Sequence, residues 1–227
     1  MPIKCDSREM VEFGFSDTNK EYKKILYLGT HITKMSLDAG FYYFSGDKNK
    51  NGGNPFWSII KGIYNSKKLS KAIDDYKRAL SVAKRMTIYN SEYRTNIAKK
   101  TKRVRQNLID CLQKHGIVIN DLIGYCECEG AEDDQINEDS VIPNDGNDNF
   151  HNVPSLMLEA DLIVINGLGL RNNGEIKPLG ARYFFHKFKF DQFVPPSRII
   201  FVYGSSARGS NQLKIDNWLG KIKCVKK

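Results

Sequence analysis

Four short apolar runs constrain this chain more than any other feature: KILYLGT (24–30), GIVINDLIG (116–124), ADLIVINGL (160–168) and RIIFVYG (198–204). Their apolar residues follow one another instead of alternating with polar ones. A strand with one wet face alternates, whereas one buried on both faces reads as a continuous run. Helical stretches separate them, which predicts an α/β fold with a parallel sheet covered on both sides. In such sheets ligands sit beyond the carboxyl ends of the strands. The residues of interest are therefore those that follow each run: Thr30-His31, Asp121, Asn166-Gly167 and Ser205-Ser206.

The 227 residues suit a single domain with one core, at 41% hydrophobic content. The formal charge of +9 favours a polyanionic partner, although solubility alone also accounts for it. The distribution of charge says more than its sum. Residues 67–114 hold 14 Lys or Arg against four acids, and helical spacing predicts helices over 68–89 and 97–114. Val104, Leu108, Cys111 and Leu112 make the apolar face of the second helix, opposite a basic one. That basic face, with Lys99, Lys102 and Arg105, suits phosphates or simply water. Residues 127–161 carry 11 acids and no Lys or Arg, and belong away from any phosphate backbone. Their part 131–149, with its Gly, Pro and Asn, reads as a flexible loop. Further helices are expected near 178–189 and 211–220.

The five cysteines lack disulfide-scaffold spacing, and Cys126-x-Cys128 is not a CxxC pair. A reduced, cytoplasmic protein without metal or cofactor is the simplest expectation; a four-cysteine iron–sulfur site is the alternative. MPIKCDSREM is too polar for a signal peptide, and no run has the length of a membrane span.

GFYYFSGDKNKNGGNPFW (40–57) crowds aromatics beside a permissive polar loop, directly after the first strand. With its neighbours it resembles the uracil-DNA glycosylase superfamily, closest to the hypoxanthine- or mismatch-directed branch. The resemblance rests on Gly29-Thr30, Gly40-Phe41-Tyr42-Tyr43 and Asn54-Pro55-Phe56-Trp57. It continues in HGIVINDLIGYCECEGAEDDQI (115–136), ADLIVINGLG (160–169) and FVYGSSARGS (201–210). Ile32 stands where that branch has a proline, and the last loop has lost both prolines and has no histidine.

The resemblance implies a three-layer α/β/α domain over 1–227. It has a central, mainly parallel, four-stranded sheet, a basic helical insertion about 67–95 and an acidic loop about 127–149. The implied activity is that of a monofunctional DNA glycosylase acting on a flipped-out base. Tyr43 or Phe44 would stack on the base, although about half of the aromatics 41–44 are expected in the core. Asp121 and Asn166 would read the base edge. Asn54 would orient the water, with His31 as its rival. Ser205, Ser206 and Arg208 would clamp phosphates. The partner would be DNA, double-stranded with a flipped base or single-stranded, bound by a monomer away from membranes. A non-catalytic nucleic-acid-binding module on the same scaffold is the alternative.

Overall fold

A computed structural model describes residues 2–19, 21–44, 55–85, 91–129, 135–168, 174–204, 210–222 and 225–226. The four apolar runs form strands β2 (Ile25–Gly29), β3 (Ile117–Asp121), β6 (Leu162–Asn166) and β7 (Ile199–Val202). They make one all-parallel sheet in the order β3-β2-β6-β7. Every residue of β2 and β3 is buried, which is why their sequence does not alternate. The chain leaves β2 for β3 on one side and later returns to β6 on the other. The gap between β2 and β6 is therefore the point where the strand order reverses, the usual ligand crevice of an open parallel sheet.

A second, antiparallel sheet runs β1 (Ile3–Asp6), β4 (Ile123–Cys128), β5 (Ile136–Pro143), with β4 in the middle. β5 corrects the reading of 131–149 as a loop. Its INEDSVIP sequence is an edge strand, and edge strands carry charges that discourage further pairing. Only Leu122 separates β3 from β4, so one stretch of chain crosses from the large sheet to the small one. The amides of Leu122 and Ile123 donate to the carbonyls of Gly29 and Thr30, both at 3.0 Å, and fasten this crossing to the end of β2. Asn144 clamps it from the other side: its side chain donates to the Asp121 carbonyl at 2.8 Å and accepts from Ser7 Oγ at 2.9 Å.

Seven α-helices complete the described residues. Between β2 and β3 lie α1 (Lys34–Ala39), α2 (Phe56–Tyr64), α3 (Lys67–Arg85) and α4 (Ser91–Lys114). Thr33 caps α1 by accepting from the Ser36 amide. Gly40 ends it in the left-handed conformation (φ 67°) that only glycine adopts without cost. Phe56, Trp57, Ile59, Ile60, Ile63 and Tyr64 bury one face of α2. α3 and α4 pack as a helical hairpin, with Leu108 and Leu112 of α4 in the core. α5 (Val153–Glu159) leads into β6 and α6 (Ala181–Lys187) into β7. α7 (Asn211–Lys221) follows, capped by Ser210, and seats Trp218 against Tyr27. No helix among the described residues is long and apolar enough to cross a membrane.

Candidate functional site at the carboxyl ends of the parallel strands

Three of the residues expected to hold a base converge where the strand order reverses. Asp121 ends β3, Asn166 ends β6, and Tyr43 reaches over Gly29 at the end of β2. The Asn166 side-chain amide donates to the Tyr43 hydroxyl at 3.1 Å. A Cβ on Gly29 would land on the Asp121 carboxylate and the Tyr43 hydroxyl together, so glycine is what admits both groups to this spot. Asp121 is 3% exposed.

The four aromatics of 41–44 divide sharply. Phe41, Tyr42 and Phe44 are buried, whereas Tyr43 is only half-buried. Phe44 packs against Trp57 and Tyr76, with ring centroids at 4.7 and 4.9 Å, and is not brought to Asp121 and Asn166. Of the two rings expected to stack on a base, Tyr43 is the one that meets Asp121 and Asn166. Tyr43 adopts a left-handed backbone (φ 58°), which a non-glycine residue holds only under constraint from its surroundings. Two contacts supply that constraint: the Trp57 indole donates to the Tyr42 carbonyl at 3.1 Å, and Phe56 stacks on Tyr43 at 4.1 Å and 15°.

A buried polar cluster backs the site. The Tyr42 hydroxyl donates to Asn120 Oδ1 at 3.2 Å and lies 3.3 Å from His151 Nδ1. Asn120 Oδ1 also accepts from the Asp121 amide at 2.9 Å, which fixes the backbone that carries the carboxylate. Burial, and then the negative charge of Asp121, hold the Tyr42 phenol well above its ordinary pKa. Tyr42 therefore serves as a neutral donor. In the sequence Tyr42 figures only as one ring of the Gly40-Phe41-Tyr42-Tyr43 motif, with nothing to mark it as this donor.

The remaining expected residues fall elsewhere. Asn54, Ser205, Ser206 and Arg208 lie outside the described residues. His31 is 8% exposed and sits with Cys5, Cys126 and Cys128. Lys99 and Lys102 are exposed on α4. Arg105 departs from the expected phosphate face: it is half-buried and donates to the Gly40 carbonyl at 3.1 Å, tying α4 to the end of α1. Between α3 and α4 runs a groove of about 740 Å³, with Lys68, Lys71, Arg78 and Lys100 around Val82 and Val104.

The four residues Cys5, His31, Cys126 and Cys128 bring their ligand atoms within 4.8 Å of one another, all buried. Hydrogen bonding with Cys126 and Cys5 holds the Cys128 thiol well below the ordinary range, with His31 adding to the effect, while hydrogen bonding with Cys128 and Cys5 pushes Cys126 up. The described residues thus offer a sulfur-rich set able to hold a cation, distinct from the Asp121 site. No protein-family model matches the chain, and no curated protein or solved structure is significantly similar to it.

Proposed function

We propose that the chain is a monofunctional DNA glycosylase of the uracil-DNA glycosylase type, with the three-layer α/β/α arrangement of that superfamily. It hydrolyses the N-glycosidic bond of a flipped-out base and leaves an abasic site. The base is of uracil or hypoxanthine type, or a bulky hypermodified phage base removed in an antiviral role. The observation that carries this reading is the meeting of Asp121, Tyr43 and Asn166 over Gly29 at the reversal of strand order. An aromatic face, a carboxylate acceptor and an amide are the groups that a base taken out of its stack requires.

In this reading the base stacks on the face of Tyr43 turned away from Phe56, and the Asp121 carboxylate accepts a ring or exocyclic N–H. As the bond from C1′ to the base nitrogen breaks, its electron pair leaves with the base and positive charge grows on the sugar. A water attacks C1′ and becomes the new hydroxyl, and the proton it gives up ends on the departed base, whose nitrogen holds the electron pair of the broken bond. Asn54 orients that water through its amide oxygen. His31, mostly buried beside three thiols, is left with a different task. Lys99 and Lys102 on α4 and the 205–208 segment approach phosphates.

The test is an excision panel of DNA carrying uracil, hypoxanthine, xanthine or large cytosine adducts, with abasic sites revealed by alkali. Cleavage at one of these, together with a loss of about 100-fold or more in single-turnover rate on Asn54→Ala with binding retained, supports the reading. Salt-sensitive binding without cleavage of any base favours the non-catalytic module instead.

A further inference from the structure

The second cluster has no place in base excision. Cys5 on β1 and Cys126 on β4 are direct partners in the antiparallel register. Cys128 follows Cys126 by two residues on the same face of β4. His31 comes from the segment between β2 and α1. Three separate parts of the chain therefore deliver four ligand atoms to one buried point. Burial alone would mean little, because cysteine is often an ordinary core residue. The geometry is more particular. Alternate residues on a strand stand about 6.6 Å apart, yet the sulfurs of Cys126 and Cys128 lean to 3.5 Å. The sulfurs of Cys128 and Cys5 are 3.4 Å apart. No pair is at disulfide distance, about 2.05 Å. Zinc–sulfur bonds of about 2.3 Å in a tetrahedron separate the sulfurs by about 3.8 Å. An iron–sulfur cluster, whose four ligands are divided among two or more irons, needs a wider spread than 4.8 Å.

We propose that Cys5, His31, Cys126 and Cys128 form a Cys3His zinc site. Four protein ligands close the coordination sphere, which makes it a structural centre and not a catalytic one. The ion ties β1 to β4 and both to the segment after β2, beside the Thr30 carbonyl that receives the Ile123 amide. A surface groove lined by Pro2, Cys128 and Ile136 lies beside the cluster. The assignment stands whether or not the chain excises a base.

The test is metal analysis of the full-length protein purified without chelators from zinc-supplied cells. About one zinc per chain is expected, released in step with mercurial titration of three thiols. Cobalt loading should give the visible bands of a tetrahedral ion and a sulfur charge-transfer band. His31→Ala should weaken zinc retention against a competing chelator by about tenfold or more, and His31→Cys, which supplies a fourth thiolate, should restore it. If a cysteine variant fails to fold, the wild-type mercurial release and cobalt spectrum still decide the matter. Metal-free wild-type protein that takes up neither zinc nor cobalt, or native iron with cluster absorbance, overturns the assignment.

Discussion

Replacing Gly29 with alanine puts a methyl group where the Asp121 carboxylate and the Tyr43 hydroxyl already meet. The two neighbours cannot yield equally. Asp121 is 3% exposed, its amide is bound by Asn120 Oδ1 at 2.9 Å and its carbonyl by Asn144 Nδ2 at 2.8 Å, so it has nowhere to retreat. Tyr43 is half-buried and gives way at its hydroxyl end, breaking the 3.1 Å bond from Asn166. An overpacked methyl costs about 1–3 kcal/mol, and the lost hydrogen bond about 0.5–1.5 kcal/mol. The sum is about 1.5–4.5 kcal/mol, or a fall of about 3–18 °C in Tm for a chain of this size. Thermal melts and urea titrations would read it. Gly220→Ala is the control: nothing lies within 4 Å of a Cβ there, on α7. It should gain about 0.5–1 kcal/mol from helix propensity. A Gly29→Ala protein that melts with the wild type, while Gly220→Ala behaves as expected, would refute the packing of Asp121 and Tyr43 over Gly29.

Two further outcomes are expected. Burial holds the His151 imidazole below its ordinary value of 6.5, against the opposing pull of the Glu12 and Asp6 charges. The unfolded chain therefore takes up a proton before the folded one does. Stability from this residue is full above about pH 6.5 and is lost below it, by up to about 1.4 kcal/mol per pH unit; His151→Gln should flatten urea-midpoint profiles over that range, and an unchanged profile places the titration elsewhere. Reversing Lys99 and Lys102 to Glu should reduce the slope of log K against log salt for DNA binding by about 2. An unaltered slope would put α4 on a bystander face, and Arg105 is left out because the Gly40 carbonyl holds it.

The large sheet was legible because strands buried on both faces have continuous apolar sequences, as ILYLG and LIVIN do. β5 was not, because an edge strand mixes exposed polar residues with buried ones, and INEDSVIP exposes Asn137 and Asp139. Asp121 and Asn166 were legible as strand-end residues, since a parallel sheet presents those positions to one crevice. Tyr43 and Phe44 were indistinguishable, because their separation depends on the left-handed turn at Tyr43, which no spacing rule announces. The four potential ligands of the second cluster were invisible as a set, because Cys5 meets Cys126 only through β1–β4 pairing. The usable hint was a Cys-x-Cys alternation, which on a strand places both thiols on one side.

Leu122 is the single residue between the two sheets. Asp121 is thus a passenger on two frameworks at once, and its carboxylate stays aimed only while both keep their mutual alignment. Loosening β1 or β5, both outside the crevice, would blunt the carboxylate's aim without touching any group that a ligand meets.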